Sequence, residues 1–176
     1  MQQTHDRIQQ LWTKLQSVAA FSYSSQPGAR SQTGWHGEGH GQVVVEIIGD
    51  DELHFIEQGS FQLQGGQSID MHNRFIWQKR AGAIALSHGR RGERVFLFEL
   101  IPVAEGLWRS AQDHVCINDL YSGELSENGD SANGDSANGD SANGDGGKHS
   151  GFSLNWHITG PKKDEHLFYR YSADNS

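Results

Sequence analysis

Cysteine occurs only once in the 176 residues, at Cys116. A single thiol cannot form a disulfide within the chain, so the sequence excludes a small secreted domain held together by disulfides. Hydrophobic burial must stabilise the fold instead. The length is sufficient for this, because a domain of roughly 150 residues buries about two-thirds of the surface that its unfolded chain exposes.

Long apolar runs are also absent. No stretch approaches the roughly 20 apolar residues that a membrane-spanning helix needs, so we expect no membrane span. The first residues show no basic region followed by an apolar run, and we therefore expect no signal peptide. Together with the lone cysteine, these absences predict a cytoplasmic protein.

Positive charge is scarce. Lysine and arginine number 14 against 22 aspartates and glutamates, which gives a net charge of -8. A nucleic-acid-binding protein needs a basic face to neutralise phosphates. The composition therefore argues against nucleic acid as a partner.

One amphipathic helix is predicted at residues 4–20. Apolar side chains recur at helical spacing from Ile8 to Leu15, as expected for a helix with one buried face. Thr4 is a suitable N-cap residue. The polar stretch that follows, at residues 22–33, has the composition of a loop.

Beyond the helix, the sequence shows the period-two alternation of strands that bury one face. Hairpin-length turns separate these strands, a pattern typical of antiparallel barrels and sandwiches. We predict an all-β antiparallel fold of about eight to nine strands preceded by the helix. The expected boundaries are helix and loop at 1–34, the β domain at 35–171 and a tail at 172–176.

Glycine occupies the inner face of the first predicted strand, at residues 35–47. Gly37, Gly39 and Gly41 alternate there with polar residues. Missing side-chain volume on an inner face means that something else comes close. The candidates are a bent neighbouring strand, the helix or a ligand.

Residues 126–150 contain an Asn-Gly-Asp-Ser-Ala repeat, with copies starting at Asn128, Asn133 and Asn138. The repeat has no apolar residue larger than alanine and cannot form a core, so we interpret it as a disordered insertion at a hairpin tip. Calcium binding is the alternative, because Asp recurs beside Gly. The tract lacks the bidentate Glu that usually ends a calcium loop.

Ionisable side chains are densest at His114, Cys116, Asp119 and Tyr121. Cys116 could be a nucleophile with His114 as its base, although residues i and i+2 of a strand point in parallel directions. A structural interpretation is the simpler one. In it, His114 and Cys116 face the interior, and Asp119 and Tyr121 cap the turn through hydrogen bonds.

Two sets of residues suggest metal ligands. His114 and Cys116 could hold zinc if His149 or His157 supplied further ligands. A second set lies on one face of the first predicted strand, but the alternation makes that face the outer, solvated one. Its members are His36, Glu38 and His40. We therefore expect no metal at either set.

Three basic residues could bind an acidic group. Lys163 follows Gly160-Pro161 in a turn that could hold an anion, although such a turn ordinarily solvates its charges. Arg74 and Arg170 lie among aromatic residues. Inside a barrel an arginine of this kind holds a carboxylate, and outside it makes cation–π contacts. The alternation does not distinguish these two placements.

These residues resemble a domain family of unknown function with an expected calycin-like (lipocalin-like) barrel. The resemblance runs from about Trp35 to Arg170 and departs at the N-terminal helix and at Glu165, where the family usually has an aromatic residue. The motifs that carry it are His114-x-Cys116-x-x-Asp119-x-Tyr121, Trp156-x-Ile158-x-Gly160-Pro161-x-Lys163-Asp164, Tyr169-Arg170, Glu57-x-Gly59 and Arg74-Phe75-x-Trp77. It implies an up-and-down barrel and no particular reaction.

We hypothesise that the barrel encloses one small hydrophobic or amphipathic molecule, such as a tetrapyrrole, lipid or pigment. Arg74 or Arg170 would hold its acidic group. The alternatives are an enzyme that uses the His114, Cys116, Asp119 and Tyr121 cluster, and a protein-interaction module with a packed core. No cofactor can be named. The residues assigned to the ligand site are Arg74, Trp77, His114, Cys116, Asp119, Tyr121, Trp156, Lys163, Tyr169 and Arg170.

Overall fold

The computed structural model describes residues 1–32, 36–116, 118–127 and 151–173, with the backbone alone at Cys116. In these residues one helix, α1 (Gln2–Gln16), precedes eleven strands. The strands are β1 (Ala20–Pro27), β2 (Gly37–Ile47), β3 (Glu52–Leu63), β4 (Ser68–Arg80), β5 (Ala83–Arg90), β6 (Glu93–Ala104), β7 (Leu107–Ser110), β8 (His114–Cys116), β9 (Asp119–Ser126), β10 (Gly151–Thr159) and β11 (Asp164–Ser172).

Ten of the strands close into a ring. The order is β1 to β7 in sequence, then β9, β10 and β11, which returns to β1. Neighbouring strands are antiparallel throughout. Within the described residues β8 pairs only with β9 and stays outside the ring. The predicted all-β antiparallel barrel with an N-terminal helix is confirmed, with more strands than expected.

β1 lies where the composition indicated a loop. It pairs with β2 on one side and β11 on the other, so the loop prediction is wrong for residues 22–27. Phe21 and Ser25 are buried, and the polar residues that alternate with them face outwards. Serine is common in turns as well as on the outer face of a strand, and its abundance here concealed the alternation.

The neighbouring strand fills the space left by the three inward glycines. Cβ atoms at these glycines would overlap backbone carbonyl oxygens of β3, those of Gln62, Ser60 and Gln58 in turn. Glycine is therefore required for close packing of β2 on β3. The register of β3 is continuous against β2 and β4, without a bulge at Gln58-Gly59.

α1 closes one end of the barrel. Lys14 forms a 2.9 Å salt bridge with Glu127, next to the end of β9. The Lys79 ammonium group, near the end of β4, lies 5.3 Å from the centre of the Trp12 ring. The apolar face of α1 joins the core of the strands, through Ile8, Leu11, Trp12 and Leu15. The helix ends before the predicted residue 20 because Ala20 already pairs in β1.

The helix begins at Gln2 rather than at residue 4, and Met1 instead of Thr4 occupies the N-cap position without a side-chain hydrogen bond. Among the described residues, no helix combines the length and apolar character that crossing a membrane requires.

Leu11→Ala tests the contribution of α1 to the barrel core. Leu11 is 0% exposed, and its truncation leaves a cavity, so we expect the free energy of unfolding to fall by about 3 kcal/mol. Urea denaturation measures this change. The matched control is Gln10→Ala, on the exposed side of the helix, which should change stability by less than about 0.5 kcal/mol. Equal effects of the two substitutions would show that α1 is not part of the core.

Candidate functional site

A carboxyl group is buried inside the barrel. Glu57 lies on β3 in the same alternating set as Leu53 and Phe55, and it is 0% exposed. The Tyr171 hydroxyl donates a 2.7 Å hydrogen bond to one of its oxygens. The Asn73 amide, directly opposite on β4, donates a 3.3 Å bond to the other. These two donors stabilise an acidic group in surroundings that are otherwise aromatic.

Burial raises the pKa of Glu57 from its ordinary 4.5 to about 7, although the hydrogen bonds from Tyr171 and Asn73 act in the opposite direction. The desolvation that favours the neutral acid is therefore larger than the stabilisation of the charged form. Burial also raises the pKa of Tyr169 and Tyr171 well above the usual value for tyrosine, and the nearby Glu57 charge adds to both shifts. Near neutral pH Glu57 can thus change its protonation state while both tyrosines keep their protons.

Aromatic rings surround this carboxyl group. Tyr169 and Tyr171 stack with their centroids 5.5 Å apart, and Tyr23 lies 4.7 Å from Tyr169. The centroid of the Trp156 ring lies 6.0 Å from that of Tyr169 and 5.7 Å from that of Phe75. The interior therefore presents flat apolar surfaces next to a few hydrogen-bonding groups.

Two indole N–H groups in this interior have no hydrogen-bond acceptor among the described residues. They belong to Trp77 and Trp156, which are 0% and 8% exposed. A buried donor without a partner costs about 1–3 kcal/mol. Such groups are rare in folded proteins and call for an explanation.

The two halves of the interior differ in how fully their own side chains fill them. Towards α1, the strands contribute Trp77, Trp108 and Phe152, each at most 1% exposed. Other apolar side chains that pack against the core are only partly buried, among them Tyr23, Met71, Tyr121 and Leu167. The interior is therefore packed most tightly around Trp77, Trp108 and Phe152.

Both arginines of the predicted site lie on the outer face. Arg74 contacts Glu46 at 3.2 Å and the Nδ1 atom of His54 at 2.8 Å. Arg170 lines an open groove of about 610 Å³, together with Ser22 and Ser153. They alternate with the inward residues of β4 and β11, so neither can hold an acidic group inside the barrel.

The cluster around the cysteine lies on the β8–β9 hairpin. His114 is opposite Tyr121, and Cys116 is opposite Asp119, so this register places the four residues on one face. The His114 ring packs edge-on against Phe96 at 4.7 Å. Of the side chains that the structure describes here, those of His114, Asp119 and Tyr121 line none of the surface grooves. The enzymatic hypothesis requires their convergence in one pocket, and it stays a prediction.

Asp119 is held in a structural contact. Lys163 donates a 2.8 Å hydrogen bond to it, and this bond is the main reason that the pKa of Lys163 is raised. A Cβ atom at Gly160 would overlap the Asp119 carboxylate. Gly160 and Lys163 of the Gly-Pro motif therefore position Asp119, which joins the start of β9 to the β10–β11 turn.

The structure locates some of the metal ligands that the sequence suggested. His36, Glu38 and His40 are exposed, as the alternation indicated. His157 lies on the outer face of β10, opposite Ser122 rather than Tyr121, and is not positioned to complete a zinc site with His114. His149 and the Asn-Gly-Asp-Ser-Ala repeat, with its calcium alternative, lie outside the described residues.

Sequence reasoning did not select Glu57 for the site. The available signal was its position in the alternation Leu53, Phe55, Glu57, Gly59, Phe61, where an acidic residue occupies an otherwise apolar or small face. Trp77, Trp156 and Tyr169 were selected, and the structure places all three in the interior.

Glu57→Gln should remove a pH dependence of stability. Because the pKa of Glu57 is about 7 in the folded chain against an ordinary 4.5, the unfolded chain releases this proton first as the pH rises. Between these two pKa values the free energy of unfolding falls by about 3 kcal/mol in total, and the loss is complete once Glu57 is ionised in both states. Urea unfolding at intervals between about pH 4 and pH 8 measures the decline.

The control for this prediction is Glu38→Gln, on the exposed face of β2, which should keep the wild-type decline. If Glu57→Gln and the wild type lose stability equally as the pH rises, Glu57 does not titrate in the interior as described.

Comparison with known proteins gives one relationship. No curated protein and no solved structure shows a significant match to the chain. The profile of one family matches residues 25–173, from within β1 to just after β11. The resemblance to a family of unknown function is thereby confirmed, although the match does not test the individual motifs. The chain belongs to DUF6314, a family of unknown function.

Proposed function

We propose that the barrel binds one small, flat and largely apolar molecule in the half of its interior away from α1. The observation that carries this proposal is the carboxyl group of Glu57, which is 0% exposed inside a closed barrel. A buried acid is expensive for a fold to maintain. An interior that served only as a packed core would be more stable with an apolar residue at this position.

The chemistry of the interior defines the polar end of the ligand. Arg74 and Arg170 lie outside, so an acidic ligand group has no cationic partner among the described interior residues. Glu57 instead favours a hydrogen-bond donor or a weak base. With a pKa of about 7, its carboxyl group can accept a proton from such a group or give one to it near neutral pH.

Trp156 supplies a second polar contact. Its indole N–H has no acceptor among the described residues, and a ligand carbonyl or ring nitrogen would satisfy it. The neighbouring rings of Tyr169 and Phe75 favour a flat ligand, since aromatic pairs prefer offset or edge-on contacts. We therefore expect the ligand to combine an apolar ring system with one donor and one acceptor.

The fold is compatible with this proposal. Closed barrels of about eight strands either fill their interior with side chains or hold one small guest. Architecture alone does not determine function, and the family contributes no reaction. The proposal therefore depends on Glu57, Trp156 and the incompletely buried side chains of the interior.

Native mass spectrometry and an absorbance spectrum of protein freshly purified from its own host make the direct test. We expect an additional mass of constant size, with visible absorbance if the ligand is a pigment. A bare sequence mass, together with a failure of the barrel to bind flat apolar dyes, would contradict the proposal.

A dye titration uses two benzophenoxazine dyes that share one ring frame. Nile red carries a ring carbonyl, and Nile blue carries a cationic iminium N–H group in its place. We expect Nile blue to bind more tightly above the pKa of Glu57, and Glu57→Gln to abolish this preference. Trp156→Phe should weaken Nile red roughly fivefold, since one hydrogen bond contributes about 1 kcal/mol.

The matched control is Arg74→Gln, because Arg74 lies on the outer face of the same strand pair. It should leave both dissociation constants unchanged. Dye binding that responds to Arg74→Gln as strongly as to Glu57→Gln would place the dyes on the surface and overturn the interior site.

A further inference from the structure

A compact group of polar side chains lies on the outer face of β10 and β11. His157 is directly opposite His166, and Thr159 is directly opposite Asp164. Residues two apart on a strand share a face, so these four side chains form a square on one surface. The group is separate from the interior carboxyl site and on the opposite side of the sheet.

The side chains converge on one carboxylate oxygen. The Oδ1 atom of Asp164 lies 2.8 Å from His157 Nε2 and 3.9 Å from His166 Nε2. The three potential ligand atoms all lie within 4.8 Å of one another. The two imidazole rings stack at 4.0 Å with an angle of 16° between their planes.

The backbone around Asp164 is shaped to receive its side chain. A Cβ atom at Gly28 would overlap the carboxylate in its observed position, so glycine here lets the side chain of Asp164 take that position. Arg30 approaches the other oxygen, Oδ2, at 3.9 Å. Its guanidinium is therefore near the far side of the carboxylate, and Oδ1 remains directed at the two histidines. The Asp164 side chain is only 14% exposed.

We propose that His157, Asp164 and His166 bind a divalent transition-metal ion, and specifically zinc. Two imidazoles and one carboxylate are typical zinc ligands. Calcium and magnesium prefer ligand sets made entirely of oxygen, so the imidazoles disfavour them. Three protein ligands leave at least one coordination position for water or another molecule.

Only a small adjustment separates the observed distances from a coordinated state. Zinc bonds of about 2.0–2.1 Å in a tetrahedral arrangement place neighbouring ligand atoms about 3.3 Å apart. The observed 2.8 Å and 3.9 Å lie on either side of that value. Coordination requires the stacked rings to tilt so that both Nε2 atoms point at one ion, and their partial exposure of 37% and 45% leaves room for this.

The open side of the ion would face a groove. His157 and His166 line a depression of about 390 Å³, whose other side chains include Ser122, Asn155 and Phe168. A molecule bound in this groove could therefore reach the remaining coordination position.

Isothermal titration of tag-free, metal-free protein with zinc chloride tests the site. We expect one zinc ion per chain, with His157→Gln, His166→Gln and Asp164→Asn each weakening binding roughly tenfold or more. His40→Gln is the matched control, because His40 is an exposed histidine on the same outer face, and it should bind zinc like the wild type. Magnesium chloride should produce no binding heat.

Cobalt(II) provides a measurement that is independent of affinity. Its visible absorption should show coordination by the wild type and by His40→Gln, and this signal should be lost in His157→Gln and His166→Gln. Circular dichroism before metal addition establishes that each variant is folded. Equal zinc affinity in all variants, or an equal loss in His40→Gln, would mean adsorption to surface histidines and would overturn the proposal.

Discussion

Closure of the strand ring is the constraint on which the rest of the structure depends. β11 pairs with β1 and with β10, and β10 pairs with β9. These three ladders join the last two strands to the rest of the ring and leave no open edge in it. The connection between β9 and β10 holds the Asn-Gly-Asp-Ser-Ala repeat. A long insertion there is inexpensive, because the entropic cost of closing a loop grows slowly with its length.

Once the ring is closed, each residue of a strand faces either the interior or the outside. The polar residues of β3 and β4 show the consequence. Glu57 faces inwards, where burial raises its pKa, and Arg74 faces outwards, where it contacts Glu46. The interior therefore contains a carboxyl group, whereas the sequence suggested an arginine there. For the proposed ligand, a hydrogen-bond donor or weak base therefore replaces the acidic group that the sequence led us to expect.

The structure explains two residues of the Gly-Pro motif, Gly160 and Lys163. Gly160 leaves space for the Asp119 carboxylate, which accepts a hydrogen bond from Lys163. In the same way Gly28 leaves space for Asp164, which contacts His157. In both places a glycine allows an acidic side chain to approach a turn closely. The first contact joins strands at the end of the barrel, whereas the second organises the proposed zinc ligands.

The sequence by itself determined the class of fold, the amphipathic helix and the two faces of β4. Period-two alternation depends only on the geometry of a strand, so the order of residues alone assigns Phe75 and Trp77 to one face. It could not reveal β1, because serine fits both a loop and an outer face. The repeat of Asp and Gly was equally visible, but it lies outside the described residues.

Only the tertiary structure decided which groups meet. His157 and His166 are opposite each other because β10 and β11 pair in one particular register, and a shift of one residue would place them on different faces. The contact between Tyr171 and Glu57 joins positions that are 114 residues apart, and it exists because the ring closes. Local patterns assign residues to faces, but contacts across a barrel depend on the register and closure of every strand between them.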